Sequence, residues 1–340
     1  MTGAPPFWWE RAGWQAAVLL PVSAIYGSVA ARRLAHAKRQ SIDAPVICVG
    51  NFTVGGTGKT PTVIALAQAA VRRGMKPGIL SRGHGGRGHA RIVDPESDSA
   101  AVVGDEPLLL ARHAPVAVAR KRAEGAALLV AQGCDLILMD DGFQSSQIRI
   151  DHALLVIDAR TGIGNGHIIP GGPLRAPVID QIRFADSLLR IGEGTASDAV
   201  VRMAARAGKP VYDARTVAID ALSVSGKRVL AFAGIGHPER FYDALSAAGA
   251  NVVEKRSFDD HHPFKPGELT QLERDATRAR AQLITTEKDV ARLRGGIVPG
   301  GFLDRLAVFA IETRFEPEHV PDRIIDEAVA SWRKRRFYAC

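Results

Sequence analysis

Lys59 and Thr60 close the glycine-rich stretch PVICVGNFTVGGTGKTP, residues 45–61. A lysine and a hydroxyl in that setting can bind a nucleoside triphosphate. Pro45–Val49 reads as a strand and a helix-compatible stretch follows Thr60. Strand, glycine-rich turn and helix in that order are the signature of a phosphate-binding loop. Gly55, Gly56 and Gly58 let the backbone N–H groups of Thr53, Val54, Gly55, Gly56, Thr57 and Gly58 turn inward as an anion nest, and the helix adds the positive end of its dipole. Lys59 would reach the β- and γ-phosphates and Thr60 would offer its hydroxyl to Mg²⁺. The general pattern has glycine where this chain has Thr53.

Acidic residues to match stand later. In residues 134–141, CDLILMDD, an apolar run leads into Asp140 and Asp141. An acid at the end of such a strand sits beside the phosphate loop and holds Mg²⁺ directly or through water. Neighbouring side chains on a strand point opposite ways, so only one of the two is placed for direct contact. Gly104–Pro107, GDEP, opens a short helix, where acidic residues ordinarily complement the helix dipole. Arg120, Lys121 and Arg122 follow the short strand 116–119, a place that often faces a ligand crevice. Arg175 ends the long Gly- and Pro-rich loop 162–175 and could grip an anion. The basic, glycine-rich run Arg82–His89 is a phosphate-binding loop or a surface loop. Asp260, His261 and His262 stand together, but with no cysteine nearby and no helical histidine spacing a structural zinc is a weak reading.

The elements that must position these groups alternate. Strands are expected over 77–81, 91–94, 116–119, 136–140 and 152–159, then 227–236, 251–256, 282–287 and 307–312, with helices between them. The stretches 211–219 and 307–315 read as links between two units. This is an α/β chain with a P-loop NTPase-like parallel sheet core and a second, smaller α/β domain. At 340 residues there is room for both. The expected divisions are 1–40, a membrane-associated N-terminal helix; 41–212, the phosphate-loop domain; and 213–340, the second domain with a C-terminal helix.

Charge and cysteine content narrow the function classes. The three cysteines, Cys48, Cys134 and Cys340, have no metal spacing and argue for a reducing compartment without disulfides. A net charge of +8 suits an acidic partner: nucleic acid, anionic lipid or a phosphorylated substrate. The chain has no nucleic-acid module and no basic–aromatic interleaving, which places nucleic acid last. Trp8 and Trp9 precede, and Trp14 lies near the start of, twenty uncharged residues, 12–31, after which come Arg32, Arg33, His36, Lys38 and Arg39. Aromatics at one end and cations at the other describe a membrane segment with its basic end in the cytoplasm. Its length is just enough to span, and an interfacial helix fits as well; a helix packed on the domain is the remaining reading.

Taken together, VGNFTVGGTGKTP (49–61), the Ser81–Gly83 loop, GDEP (104–107), DDGFQ (140–144), PGGPLR (170–175), Asp260–His262 and TTEKD (285–289) resemble the tetraacyldisaccharide 4′-kinase family, the lipid A 4′-kinases of Gram-negative bacteria. Thr53 is the form this family uses. The resemblance implies transfer of the γ-phosphate of ATP, with Mg²⁺, to the 4′-hydroxyl of a tetraacylated glucosamine disaccharide 1-phosphate. The substrate is an anionic glycolipid met at the cytoplasmic face of the inner membrane, and no obligate protein partner is implied. It puts Lys59 and Thr60 on phosphates and metal, Asp140 and Asp141 at the metal site, and Asp105 with His261 as a base dyad. The choice of His261 over His262 rests on its place after Asp260. Arg120, Arg122 and Arg175 are candidates for the substrate 1-phosphate or the transferring group. The family's Glu after Pro-Leu-Arg is Ala176 here. The rival readings are a membrane-associated P-loop ATPase or GTPase switch, which needs neither Asp105 nor His261, and a nucleic-acid-dependent ATPase, suggested only by the charge.

Overall fold

The computed structural model describes residues 4–83, 89–145 and 147–338. Most of the basic loop Arg82–His89, and Cys340, lie outside the described residues.

The central strands are near-continuous apolar runs, the pattern of strands covered on both faces. β1 (Val46–Asn51), β2 (Pro77–Ser81), β5 (Leu136–Asp140) and β6 (His152–Asp158) are buried along their whole length. They combine with β3 (Arg91–Ile92), β4 (Val116–Val118), β7 (Ser187–Ile191), β8 (Val211–Ala218) and β13 (Ile311–Glu316) into a nine-stranded sheet ordered β13-β8-β7-β6-β1-β5-β2-β4-β3. Seven strands run parallel; only the edge strands β3 and β13 are antiparallel. Alternate side chains feed two cores. Ile47, Val49, Leu138 and Val156 pack on one face, and Cys48, Met139, Leu155 and Ile157 on the other.

β1 lies at the centre, and the chain leaves it first toward β2 and later toward β6. Such a reversal opens a crevice at the strand carboxyl ends, where α/β sheets bind ligands.

The smaller sheet, ordered β10-β9-β11-β12, is parallel throughout and consists of β9 (Arg228–Ala233), β10 (Asn251–Ser257), β11 (Gln282–Thr286) and β12 (Ala307–Phe309). The linking stretches pair with each other: β8 and β13 form the antiparallel edge of the larger sheet, carrying the chain into and out of the smaller one. The single strand expected over 307–312 divides at Ala310, with β12 in one sheet and β13 in the other. The expected membership of the C-terminal helix in the smaller unit gives way to a different placement. Val320–Phe337 packs on the larger sheet, against the helix α2 (Lys59–Arg72) and strands β1 and β6. Its buried stripe is Val320, Ile324, Ile325 and Ala328. Arg335 clamps Asp151 through two bonds of 3.0 and 2.9 Å, and Asp151 also accepts the Val46 N–H at the start of β1.

α1 (Trp14–His36) lies on the same lobe. Ala16, Ser23, Gly27 and Leu34, spaced by seven, four and seven, form its buried stripe. Ser23 Oγ donates to the Ile168 carbonyl and accepts the Gly171 N–H, and a Cβ on Gly27 would sit 2.7 Å from Ile168. Trp14, Val18, Val22 and Ile25 on the other side are 54–73% exposed.

Candidate functional site

The turn after β1 is held open by backbone chemistry. Gly58 caps α2 at φ +88°, and a Cβ there would meet Ile191 at 2.8 Å, so only glycine fits. The Asn51 amide donates to Thr57 Oγ1 at 3.0 Å across the turn. Thr53 is buried, and the loop 170–175 braces it: Val54 N–H donates to the Pro173 carbonyl, Thr53 bridges Leu174, and Arg175 Nε donates to the Thr53 carbonyl at 3.0 Å. A residue with a side chain is accommodated at 53 because a second segment packs there.

Register fixes the acids beside this loop. β1 and β5 align Val49 with Asp140, and the Asp141 N–H donates to the Val49 carbonyl. The two carboxylates differ. Asp141 is gripped by Arg175 through 2.8 and 2.9 Å bonds and lies 3.8 Å from Lys59. Burial alone would raise its pKa; Lys59 and Arg175 outweigh burial and hold it below the usual carboxylate value. Asp140 is 3% exposed, and among the described residues its Oδ1 has no hydrogen-bond partner. Burial first, then the neighbouring Glu106 carboxylate, push it up to about 7. An ionised oxygen without a partner is a costly thing to bury, and the pull of Lys59 and Lys288 in the other direction does not overcome that cost. Lys59 is likewise biased toward its neutral form: burial lowers its proton affinity, and Asp141 partly restores it.

The GDEP helix, Asp105–Leu110, starts at Gly104 with Asp105 buried and Glu106 beside it. Asp105 accepts from His261 Nδ1 at 3.0 Å and from Arg292 Nη2 at 2.6 Å. Burial would raise its pKa, but His261 and then Arg292 hold it well below the usual range. The Asp105 bond in turn raises His261 above its ordinary value. His261 adopts φ +61° and its N–H donates to the Gly234 carbonyl, which turns the ring toward Asp105. His262 turns away: Nε2 meets Glu268 at 2.9 Å and the ring stacks on Phe258.

Of the three arginines expected to face an anion, Arg175 lies in the crevice on Asp141. Arg120 is exposed and lines a cavity of about 490 Å³ with Arg82, His89 and Arg91. Arg122 is corrected to a positioning part. It is 3% exposed and donates to the carbonyls of Leu80, Asp140 and Asp141, tying the ends of β2 and β5 together. Ala176, standing where a glutamate was expected, is fully buried.

Three residues carry no role in the sequence reading yet belong to the site: Glu106, Lys288 and Arg292. Lys288 Nζ lies 2.5 Å from Glu106 Oε1. Lys288 and Arg292 sit one turn apart on the helix Glu287–Arg294, opposite the adjacent acids Glu106 and Asp105. That complementary spacing emerges only when the two helices are set against each other.

Comparison with known proteins gives a consistent result. The family model described as Tetraacyldisaccharide-1-P 4′-kinase (LpxK) matches residues 15–330. A protein of Mesorhizobium japonicum named tetraacyldisaccharide 4′-kinase is 57% identical over 336 residues, 98% of each chain. One of the same name from Rhizobium meliloti is 51% identical, covering 98% of this chain and 97% of its own. Among solved structures, LpxK from Aquifex aeolicus in complex with ATP superposes with a TM-score of 0.70 at 26% identity, covering 92% of this chain and 99% of that one.

Proposed function

Because the chain belongs to the tetraacyldisaccharide-1-P 4′-kinase family, we propose that its crevice takes ATP and Mg²⁺ and phosphorylates a lipid A precursor at a membrane surface, through the residues described above. That it is a 4′-kinase follows from the membership; the residue roles, the metal and the membrane contact are our reading. The observation that carries it is the meeting of a phosphate-binding loop with an Asp–His pair drawn from both lobes. A nucleotide switch has no use for such a pair.

In this reading the loop 53–58 cradles the phosphates and Lys59 moves from Asp141 to the γ-phosphate. Asp105 lies within reach of the acceptor hydroxyl and takes its proton as the new bond forms. The proton comes to rest on His261, because Asp105 is held low and His261 high. Mg²⁺ fits the donor set. Among the described residues no three His, Cys, Asp or Glu side chains cluster to hold a metal alone, as expected for a cation that shares its sites with phosphates and water. The partnerless Oδ1 makes Asp140 the acid that would touch the ion directly; Thr60 would offer its hydroxyl, and Asp141, both oxygens occupied by Arg175, would act through water. Bound there, Mg²⁺ would draw charge from the phosphate oxygens. Arg120 and its basic neighbours are offered to the acceptor's 1-phosphate.

α1 is long and apolar enough to cross a membrane by length and composition. One face is committed to the protein, so we assign the exposed apolar face to the headgroup region of the cytoplasmic leaflet, with Arg32 and Arg33 on anionic lipid. Val18→Glu with Ile25→Glu is expected to cut co-sedimentation with anionic vesicles and lipid phosphorylation by about tenfold or more, with ATP affinity unchanged. Unaltered sedimentation would refute the assignment. Deleting residues 1–36 is a poorer test, since it also removes Trp8 and Ser23, which hydrogen-bond residues 168–171 of the loop that braces Thr53.

The function itself is tested by mixing the protein with labelled ATP, Mg²⁺ and the disaccharide lipid. Label is expected on the lipid. Label found only as free phosphate would favour the switch reading.

A further inference from the structure

Helix 287–294 belongs to the smaller lobe but delivers two cations to the larger one. Four residues apart, Lys288 and Arg292 share a helix face, and that face meets Glu106 and Asp105. The two ion pairs are built differently. Arg292 is locked: besides Asp105 it donates to the carbonyls of Gly234 and His262 and to Asp289, and its side chain is 8% exposed. Lys288 has one partner among the described residues, Glu106, and its side chain is 31% exposed. The start of the helix that carries it is fixed, since Asp289 accepts from the Thr285 and Thr286 hydroxyls and from the Gly234 N–H. A half-buried ammonium with a single partner among the described residues is thus presented from a rigid mount.

The surroundings of that ammonium belong to the donor site. Glu106 feels Lys59 as well as Lys288, and Asp140 feels Glu106, Lys59 and Lys288. Burial lowers the proton affinity of Lys288; Glu106, then Asp105 and Asp140, outweigh burial and raise it above the ordinary lysine value. Phosphoryl transfer asks little of a protein beyond positioning and stabilising charge on the transferring oxygens. A cation already held nearby by a carboxylate costs little reorganisation when that charge develops.

We propose that Lys288 is a second catalytic cation of the phosphoryl-transfer site, supplied by the smaller lobe, and that Glu106 holds it until the γ-phosphoryl group is in place. The inference rests on the kinase reading. The acceptor 4′-oxygen bonds to the γ-phosphorus. The bond from that phosphorus to the β–γ bridging oxygen breaks, and its electron pair leaves on ADP. The hydroxyl proton goes to the Asp105–His261 pair. Lys288 forms no covalent bond; it exchanges Glu106 for an oxygen of the transferring group.

The test uses the full chain. Lys288→Met is expected to lower kcat by about 10²–10³ with the ATP Kd moved less than about threefold. Affinity for ADP with aluminium fluoride and Mg²⁺, a mimic of the planar phosphoryl group, should fall with kcat. Glu106→Gln breaks the same ion pair but leaves the cation, and should cost mimic affinity less than Lys288→Met does. If Lys288 serves only as a bridge between lobes, the two variants will cost kcat alike and neither will change mimic affinity; that pattern overturns the proposal. Lys288→Gln, which can still hydrogen-bond Glu106, replaces the Met variant if that one fails to fold, with the same expectations. Wild type is assayed first on the lipid acceptor. No transfer by wild type refutes the kinase reading, whereas transfer by wild type and Lys288→Met alike refutes only the role of Lys288.

Discussion

Lys59→Met is expected to lower kcat/KM for ATP by about 10³-fold or more, the scale on which phosphate-facing cations act. The side chain is 12% exposed and stands at the first position of α2, where the loop glycines and the helix dipole converge. Methionine keeps most of the volume and removes the charge. The fold should tolerate the change, because Asp141 retains its two-bond clamp on Arg175 and is not left bare. Activity and stability therefore separate: steady-state rates collapse while Tm moves by a few degrees at most. Fluorescent-nucleotide titration completes the measurement and should show weakened ATP binding as well. A variant with kcat/KM within tenfold of wild type would remove Lys59 from the phosphate site.

The donor half of the site was legible in the sequence because its demands fall on residue types. A turn at φ +88° requires Gly58, an inward row of N–H groups requires small residues, and a strand buried on both faces requires an apolar run such as Val46–Val49. Thr53 looked irregular against the general pattern, and the structure supplies the reason: residues 173–175 pack on it. The acceptor half was legible only where a motif named a residue. Asp105 and His261 are 156 positions apart, and only the folded chain puts them 3.0 Å from each other. Glu106, Lys288 and Arg292 acquire their parts through the docking of two short helices, which no local pattern encodes. Arg122 shows the opposite error. A basic residue after a strand suggested an anion, yet the strand end turns that side chain inward onto three carbonyls. The C-terminal helix was misplaced for a similar reason. Its apolar stripe states that it must be buried, not against which sheet; the choice is made by Asp151, reached by Arg335 across 184 residues.

Asp105→Asn is expected to lower kcat by about 10²–10⁴ with ATP affinity nearly intact. The amide keeps the shape and the His261 contact but cannot accept the hydroxyl proton. Arg292 keeps Asp289, so the buried guanidinium is not stranded. The pH profile separates a proton acceptor from a mere anchor. In the proposed reading the pair acts as ionised Asp105 with neutral His261, and is inactive once a proton rests on His261. Asp105 raises the proton affinity of His261, so in wild type the rate should fall as pH drops through a value above the ordinary histidine pKa of about 6.5. In Asp105→Asn that support is gone, and the acid limb of the residual rate should move to lower pH. His261→Gln should lose the limb altogether, since Asp105, still paired with Arg292, stays ionised through the neutral range. The same shift acts on stability. A histidine whose folded pKa is raised stabilises fully below its unfolded pKa, and that contribution fades as pH rises through the folded value. Wild type should therefore lose Tm relative to His261→Gln over the pH range in which it gains activity. An acid limb that stays in place in Asp105→Asn would show that the titrating group lies elsewhere, and Asp105 would then have to be read as an anchor for Arg292.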